Sequence, residues 1–170
     1  MGSDLELRVR RLEDRALISE RVVTYALAID HRDWELFGDC FTDPLTADYS
    51  KAGGWPAGTI SRTEHAARVS EMIDGFTVTQ YLSPNHIIEF DGSDPNRAVC
   101  YSYMFAQHLL EDSEYGDSYL LRGTYTNHML RTPSGWQIER ITLRGKWSDG
   151  NPGVFAEAVT RRKIEKDSDQ

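Results

Sequence analysis

Cysteine is scarce in this chain: Cys40 and Cys100 are the only two among 170 residues. Two cysteines make no disulfide framework, and neither sits in a CxxC pair or near a histidine at zinc-binding spacing. Both read as buried, reduced thiols, and no metal or other cofactor is expected. Positive charge is also short, with 19 Lys and Arg against 27 Asp and Glu and a net charge of −8. A phosphate backbone or an anionic membrane demands clustered Lys and Arg, so nucleic acid and membrane surfaces are excluded as partners. Long apolar runs are missing too: nothing approaches a signal peptide or the roughly twenty residues that span a bilayer. The expectation is a cytoplasmic protein.

What the chain does contain suits one compact unit. Hydrophobic residues make up 39% and aromatic residues 11% of the sequence, enough for a proper core in a single domain. Leu5, Val9, Leu12, Ala16, Val23 and Leu27 recur at helical spacing behind a Ser3 or Asp4 cap, which predicts a long N-terminal helix ending at Asp30-His31-Arg32. A short helix over Trp34 to Phe41 and a strand at Leu45 to Tyr49 follow. The glycine-rich stretch Gly53-Gly54-Trp55-Pro56-Ala57-Gly58 reads as a loop and lacks the flanking pattern of a phosphate cradle. Ser61-Arg62-Thr63-Glu64 resembles a capping box, and Ala66, Val69, Met72 and Ile73 give a third amphipathic helix that stops near Gly75.

Beyond Gly75 the periodicity changes to extended segments at roughly 77 to 90, 97 to 110, 118 to 131 and 136 to 147. Turns at Asp91 to Pro95, Glu114 to Asp117 and Thr132 to Gly135 separate them. Helices first and a meander of long strands afterwards is an α+β layout, with a curved antiparallel sheet wrapped around the helices. Val154 to Glu165 is helical in pattern, and the polar run Lys166 to Gln170 is expected to fray.

Several side chains stand out as chemistry. Asp30 lies at the end of a helix of core-facing residues, where an acid is costly to bury without a purpose. The carboxylate is also poorly placed for the C-terminal end of a helix dipole. His108 shares a strand face with Cys100, Ser102, Met104 and Ala106, a face small and soft enough to border a cavity. The opposite face, Tyr101, Tyr103 and Phe105, is an aromatic stripe that predicts a homodimer through the sheet. Asn127 follows Gly123 and Tyr125 on one alternation and is placed to hold a substrate oxygen. Trp55 on the glycine loop and Trp147 near the last strand's end suit an apolar pocket mouth. Each has a plainer reading: Tyr25 and Tyr49 as core tyrosines, His108 as a solvent-facing residue, and Arg144 as the partner of one of the many acids.

These residues carry a resemblance. Tyr25 to Asp30, Asp33-Trp34-Glu35-Leu36-Phe37, Gly123-Thr124-Tyr125, and Leu130-Arg131 with Gly135-Trp136-Gln137-Ile138 are similar to the SnoaL-like branch of the nuclear transport factor 2-like superfamily. The likeness covers the chain from about residue 12 to 147, the core of a single domain spanning 1–170 with a polar C-terminal tail. It implies a cone-shaped barrel, three N-terminal helices packed in a curved, mostly antiparallel sheet.

Within that branch, scytalone dehydratase places pocket groups that match Asp30, Tyr49, His108 and Asn127, and bile-acid dehydratases match Tyr25 and Arg144. Where those dehydratases, and similarly a hexachlorocyclohexane dehydrochlorinase, have a catalytic histidine, this chain has Tyr81. The resemblance implies a cofactor-independent lyase or cyclase, of dehydratase type, acting through an enolate on a bulky hydrophobic molecule such as a polyketide, terpenoid or steroid-like compound. In that reading Asp30 and His108 form the acid/base pair, Tyr25, Tyr49 and Tyr81 donate to a substrate carbonyl, and Arg144 and Met104 contact the substrate. The scaffold hosts many activities, so two alternatives stay open. One is a non-catalytic binding or assembly protein; the other is an epoxide hydrolase built on Asp30, Arg144 and Asp48.

Overall fold

A computed structural model describes residues 2–114 and 116–168. Helix α1 runs Gly2–His31, about 45 Å at 1.5 Å per residue. The helix is already formed at Gly2, so Ser3 and Asp4 lie within it and do not cap it. The face it buries is not the stripe by which the sequence announces it. Ile18, Val22, Tyr25 and Ile29, spaced by four, three and four, are buried, whereas Leu5, Val9, Leu12, Val23 and Leu27 are exposed. The buried stripe begins at Asp14, whose carboxylate pairs with Arg131 at 2.5 Å and accepts the Trp136 indole N–H at 3.1 Å. Burying each large apolar side chain of that stripe contributes about 1.5–3 kcal/mol, which holds the helix on the sheet.

The end of α1 is built without glycine. Asp33 N donates to Ala28 O and Arg32 N to Ile29 O, the bond pair of a Schellman motif, with Arg32 at φ 58 in the left-handed position. Arg32 is held there by its own side chain, which donates to Ile29 O and to the Thr79 hydroxyl, both at 2.7 Å. Asp33 then caps α2 (Trp34–Asp39) by accepting from Leu36 N. Strand β1 (Phe41–Lys51) follows, longer than the five residues the alternation marks, and then a short β2 (Gly58–Ile60). Helix α3 (Arg62–Ile73) starts where expected, with the Ser61 hydroxyl accepting from Glu64 N at 3.0 Å.

The later strands are β3 (Val78–Leu82), β4 (Ile87–Phe90), β5 (Arg97–Leu109), β6 (Ser118–Thr132) and β7 (Gly135–Gly150). The first extended segment is thus two strands, interrupted around Pro84 and Asn85, and both pair with β5. The sheet order is β2-β1-β7-β6-β5-β3. Every pairing is antiparallel except β1 with β7, which is parallel, so the sheet is mixed and does not close into a barrel. Its curl comes partly from a register shift at Arg122/Gly123 in the β6–β7 pair. There a Cβ on Gly123 would sit 2.3 Å from Arg144 O, so only glycine fits.

The C-terminal helix α4 (Val154–Ser168) is more than a tail. Val154 and Ala158 are fully buried, and α4 seats so closely on the end of α3 that a Cβ on Gly75 would lie 2.0 Å from Ala158 O. The residues expected to fray fall partly at 169–170, outside the described residues. Among the described residues no helix is long and apolar enough to cross a membrane.

Candidate active site

The inner sheet face, α1, α3 and α4 enclose a cavity of about 380 Å³. That volume lies within the range of small-molecule sites. Its walls are chiefly apolar, from Ile29, Val69, Met72, Met104, Leu121 and Phe155. None of the described residues that line it is Asp, Glu, Lys or Arg. The polar side chains that reach it are the phenols of Tyr25, Tyr49, Tyr81, Tyr119 and Tyr125, the His108 imidazole and the Trp55 indole, and three hydrogen-bonded pairs organise most of them.

One pair joins β3 to β5. Tyr81 Oη lies 2.9 Å from His108 Nε2, and His108 Nδ1 lies 3.2 Å from the Tyr119 carbonyl. A carbonyl only accepts, so the ring proton sits on Nδ1, and Nε2 accepts the Tyr81 hydroxyl proton. His108 is 1% exposed, and burial, with the nearby Arg32 charge adding to it, pushes its pKa down to about 4 despite the carbonyls of Tyr119 and Ala106. The ring is therefore neutral at ordinary pH. In the middle of the sheet, Tyr125 on β6 meets Tyr25 on α1, Oη to Oη at 3.0 Å. Burial raises the Tyr125 pKa to about 12 and those of Tyr25, Tyr49 and Tyr81 well above their ordinary value, so all four phenols keep their protons. The third pair joins β1 to α3: Tyr49 Oη lies 2.8 Å from Nε2 of His65, which is fully buried and pushed down to about 3 by burial and by Arg68.

Of the residues singled out from sequence, Tyr25, Tyr49, Tyr81, Met104, His108 and Trp55 meet around this cavity. Trp55 packs on Tyr49 with ring centroids 4.7 Å apart, and the Arg68 guanidinium covers it at 5.6 Å. Asp30 does not line the cavity. Its carboxylate accepts from the Tyr81 backbone N–H at 3.0 Å and from the Thr79 hydroxyl at 3.0 Å, behind β3. Burial raises its pKa, while those two hydrogen bonds and the charges of Arg32 and His31 oppose the rise. Among the described residues no hydrogen bond or ion pair joins Asp30 to His108; the acid reaches the imidazole only through Tyr81.

Three other positions also fall elsewhere. Asn127 is wholly buried one alternation past Tyr125, beyond the cavity lining. Arg144 is exposed on β7, and Trp147 is 59% exposed with the Arg122 guanidinium over its ring. The indole at 147 lies past the register shifts of β7, where the strand projects into solvent. Asp48 faces away from Tyr49 and accepts from the Ser50 hydroxyl, so an Asp30, Arg144 and Asp48 arrangement is not assembled in the cavity. His86, just before β4, is half-buried and hydrogen-bonded to Ser19 on α1.

Sequence reasoning passed over His65, Tyr125, Tyr119 and Phe155. His65 carried a signal, since it lies four residues before Val69 on the inward face of α3. Tyr125 shares its alternation with Gly123 and Asn127. Among the described residues no cluster of three or more His, Cys, Asp or Glu is placed to hold a metal ion.

Comparison with known proteins agrees with this architecture. An uncharacterized protein of Mycobacterium tuberculosis is 30% identical over 139 residues, covering 79% of this chain and 86% of its own. The crystal structure of the Kfla4162 protein from Kribbella flavida superposes with a TM-score of 0.75 at 26% identity, over 88% of this chain and 99% of that one. A putative scytalone dehydratase from Novosphingobium aromaticivorans superposes with a TM-score of 0.71 at 18% identity, over 83% of this chain and 89% of that one, a likeness of fold. The family model described as the SnoaL-like domain matches residues 10–142. The chain belongs to the SnoaL-like family.

Proposed function

We propose that the protein is a cofactor-independent lyase of dehydratase type, acting in the cytoplasm on an uncharged, bulky hydrophobic molecule of polyketide, terpenoid or steroid-like character. The observation that carries this reading is the Tyr81–His108 pair facing a chiefly apolar cavity that no described Asp, Glu, Lys or Arg lines. The Tyr81 hydroxyl proton points at His108 Nε2, which leaves the phenol oxygen free to take a proton from the carbon beside a substrate carbonyl. As it does so, its own proton passes to Nε2, and the Tyr119 carbonyl holds the resulting imidazolium at Nδ1–H. In the Tyr25–Tyr125 pair one hydroxyl donates to the other, so the second keeps its proton for the carbonyl oxygen and stabilises the enolate; one such donor contributes about 3 kcal/mol in a water-excluded site. Expulsion of a β-hydroxyl then takes a proton from a hydroxyl donor of the pocket, the proton held by His108 makes good that loss through solvent, and the products are the alkene and water. Asp30, bonded to the Tyr81 backbone, holds β3 in place and positions that phenol.

The test uses alpha-tetralone in heavy water and its β-hydroxy derivative. The expected result is deuterium uptake beside the carbonyl of the first and water loss from the second. His108→Ala and Tyr81→Phe should each lower both rates by about a hundredfold or more. Unchanged rates in both variants would remove the assignment. The second reading is a binding protein on the same fold, favoured by the engagement of Asp30 outside the cavity. Tight binding of the ketone without exchange or water loss would establish it.

The outer sheet face supports a homodimer. Val78, Leu82, Ile87 and Tyr103 are all more than half exposed there, and Tyr101 lies beside them at 39%. Light scattering at twice the chain mass is expected, and a monomer at micromolar concentration would exclude that assembly.

A further inference from the structure

Two phenol–imidazole pairs stand on opposite margins of the same sheet, and the surroundings of the two imidazoles differ. Tyr81 belongs to β3, at one edge, and Tyr49 to β1, next to the other edge, yet both line the one cavity. At His108 the Tyr119 carbonyl fixes the proton on Nδ1, so Nε2 accepts from Tyr81. Among the described residues no such carbonyl accepts from His65. Its Nδ1 is buried without a hydrogen-bond partner, and the ring packs against Phe37 at 5.1 Å and Phe41 at 4.6 Å between centroids.

A proton on that Nδ1 would be an orphaned buried donor, costing about 1–3 kcal/mol, and orphaned donors are rarer than orphaned acceptors. The alternative places the proton on Nε2, where it donates to Tyr49 Oη. Tyr49 then keeps its own hydroxyl proton off His65, to offer to the cavity that it shares with the neighbouring Tyr25 hydroxyl.

The geometry points to a lumen of fixed polarity: Tyr81 presents an oxygen lone pair on one wall, and Tyr49 presents a proton on the other, each direction set by the tautomer of the histidine behind it. His65 is on this account a positioning residue. It touches no guest but keeps Tyr49 a donor. Resting on the dehydratase reading above, this makes Tyr81 the group that takes the carbon-bound proton. Tyr49 is the group that gives one to the departing hydroxyl, forming water, and it is reprotonated from solvent or from the guest's own displaced proton once the alkene leaves. The substrate must therefore carry its acidic C–H and its leaving oxygen toward opposite walls.

Nitrogen-labelled histidine NMR on the full chain at neutral pH reads both tautomers directly, with no substrate present. Signals are assigned by their loss in His65→Gln and His108→Gln, or by the shifts that Tyr49→Phe and Tyr81→Phe cause if either glutamine variant fails to fold. The expected result is a proton on Nε2 of His65 and on Nδ1 of His108. The same tautomer at both sites would overturn the inference.

A kinetic arm separates the walls. Tyr81→Phe should abolish deuterium uptake by alpha-tetralone. Tyr49→Phe should slow water loss from the β-hydroxy ketone by about a hundredfold more than it slows that uptake. Equal loss of both reactions in Tyr49→Phe would overturn the division of roles. If the wild-type protein shows no uptake at all, the dehydratase reading fails, while the tautomer measurement still decides the polarity of the lumen.

Discussion

Two buried polar clusters lie under α1, about 16 Å apart along the helix at 1.5 Å per residue, and they are built by opposite rules. Near the helix start, Asp14 is 5% exposed and carries a full charge, matched by Arg131 and by the Trp136 indole, with the Arg131 guanidinium 4.5 Å from the Trp136 ring. Around Tyr25, no fixed charge faces the cavity, and neutral phenols and imidazoles share protons in pairs. A compensated charge resists change, because moving any member leaves another unpaired in a poor solvent. Neutral pairs can exchange a partner for a polar group of a bound molecule without leaving a bare charge in a poor solvent. The first cluster fastens the helix to β6 and β7, and the second borders the cavity.

The sharpest way to break the contrast is at the charged end. Arg131→Met leaves Asp14 buried without its cation and should destabilise the protein by about 3 kcal/mol, read by denaturant unfolding. Ketone exchange in the fraction that remains folded should be unchanged. Loss of exchange at full folding would mean that the two clusters are coupled.

A smaller effect follows from pH. His65 and His108 have folded pKa values of about 3 and about 4, below the ordinary value of 6.5, so the unfolded chain binds protons that the folded one refuses. Stability from these groups is full above pH 6.5 and falls as pH drops through the window between 6.5 and about 4, and on to about 3 for His65. The loss should total a few kcal/mol by pH 4, measured as a falling denaturation midpoint, and His108→Gln should shrink it. A midpoint that holds constant across that window would contradict neutral imidazoles at both sites.

Smallest of all is the expected effect of Asp30→Asn. An amide oxygen still accepts from Tyr81 N–H or Thr79, so turnover should fall by less than about tenfold, well short of the loss in His108→Ala. An equal loss in the two variants would return Asp30 to direct proton transfer.

Much of this was readable beforehand, and the failures have specific causes. The Ser61 cap, the end of α1 at His31 and the β5–β6–β7 meander all follow from local periodicity and turn residues, which act within a few positions. The alternation on β5 correctly turned His108 inward and Tyr101 and Tyr103 outward. The parallel contact of β1 with β7 joins residues about ninety positions apart, and no local pattern encodes it.

Asp30 was misplaced because the last turn of α1 rotates its carboxylate toward β3, and the donor it finds there is a backbone amide N–H that every non-proline residue offers. His65 was overlooked because a lone histidine on an amphipathic helix is usually packing. Its meaning appears only when β1 brings Tyr49 to it. On α1, two apolar stripes compete, and the sequence does not say which one the sheet will cover.

A lumen bordered by neutral groups alone has a consequence in solution. Surface pairs such as Arg62 with Asp39 and Arg68 with Glu64 weaken as ionic strength rises and the Debye length contracts. Attraction between the guest and these walls offers dissolved ions nothing to screen. Affinity measured in dilute buffer should carry over into brine, and excluded salts such as sulfate should tighten it by driving the guest out of water.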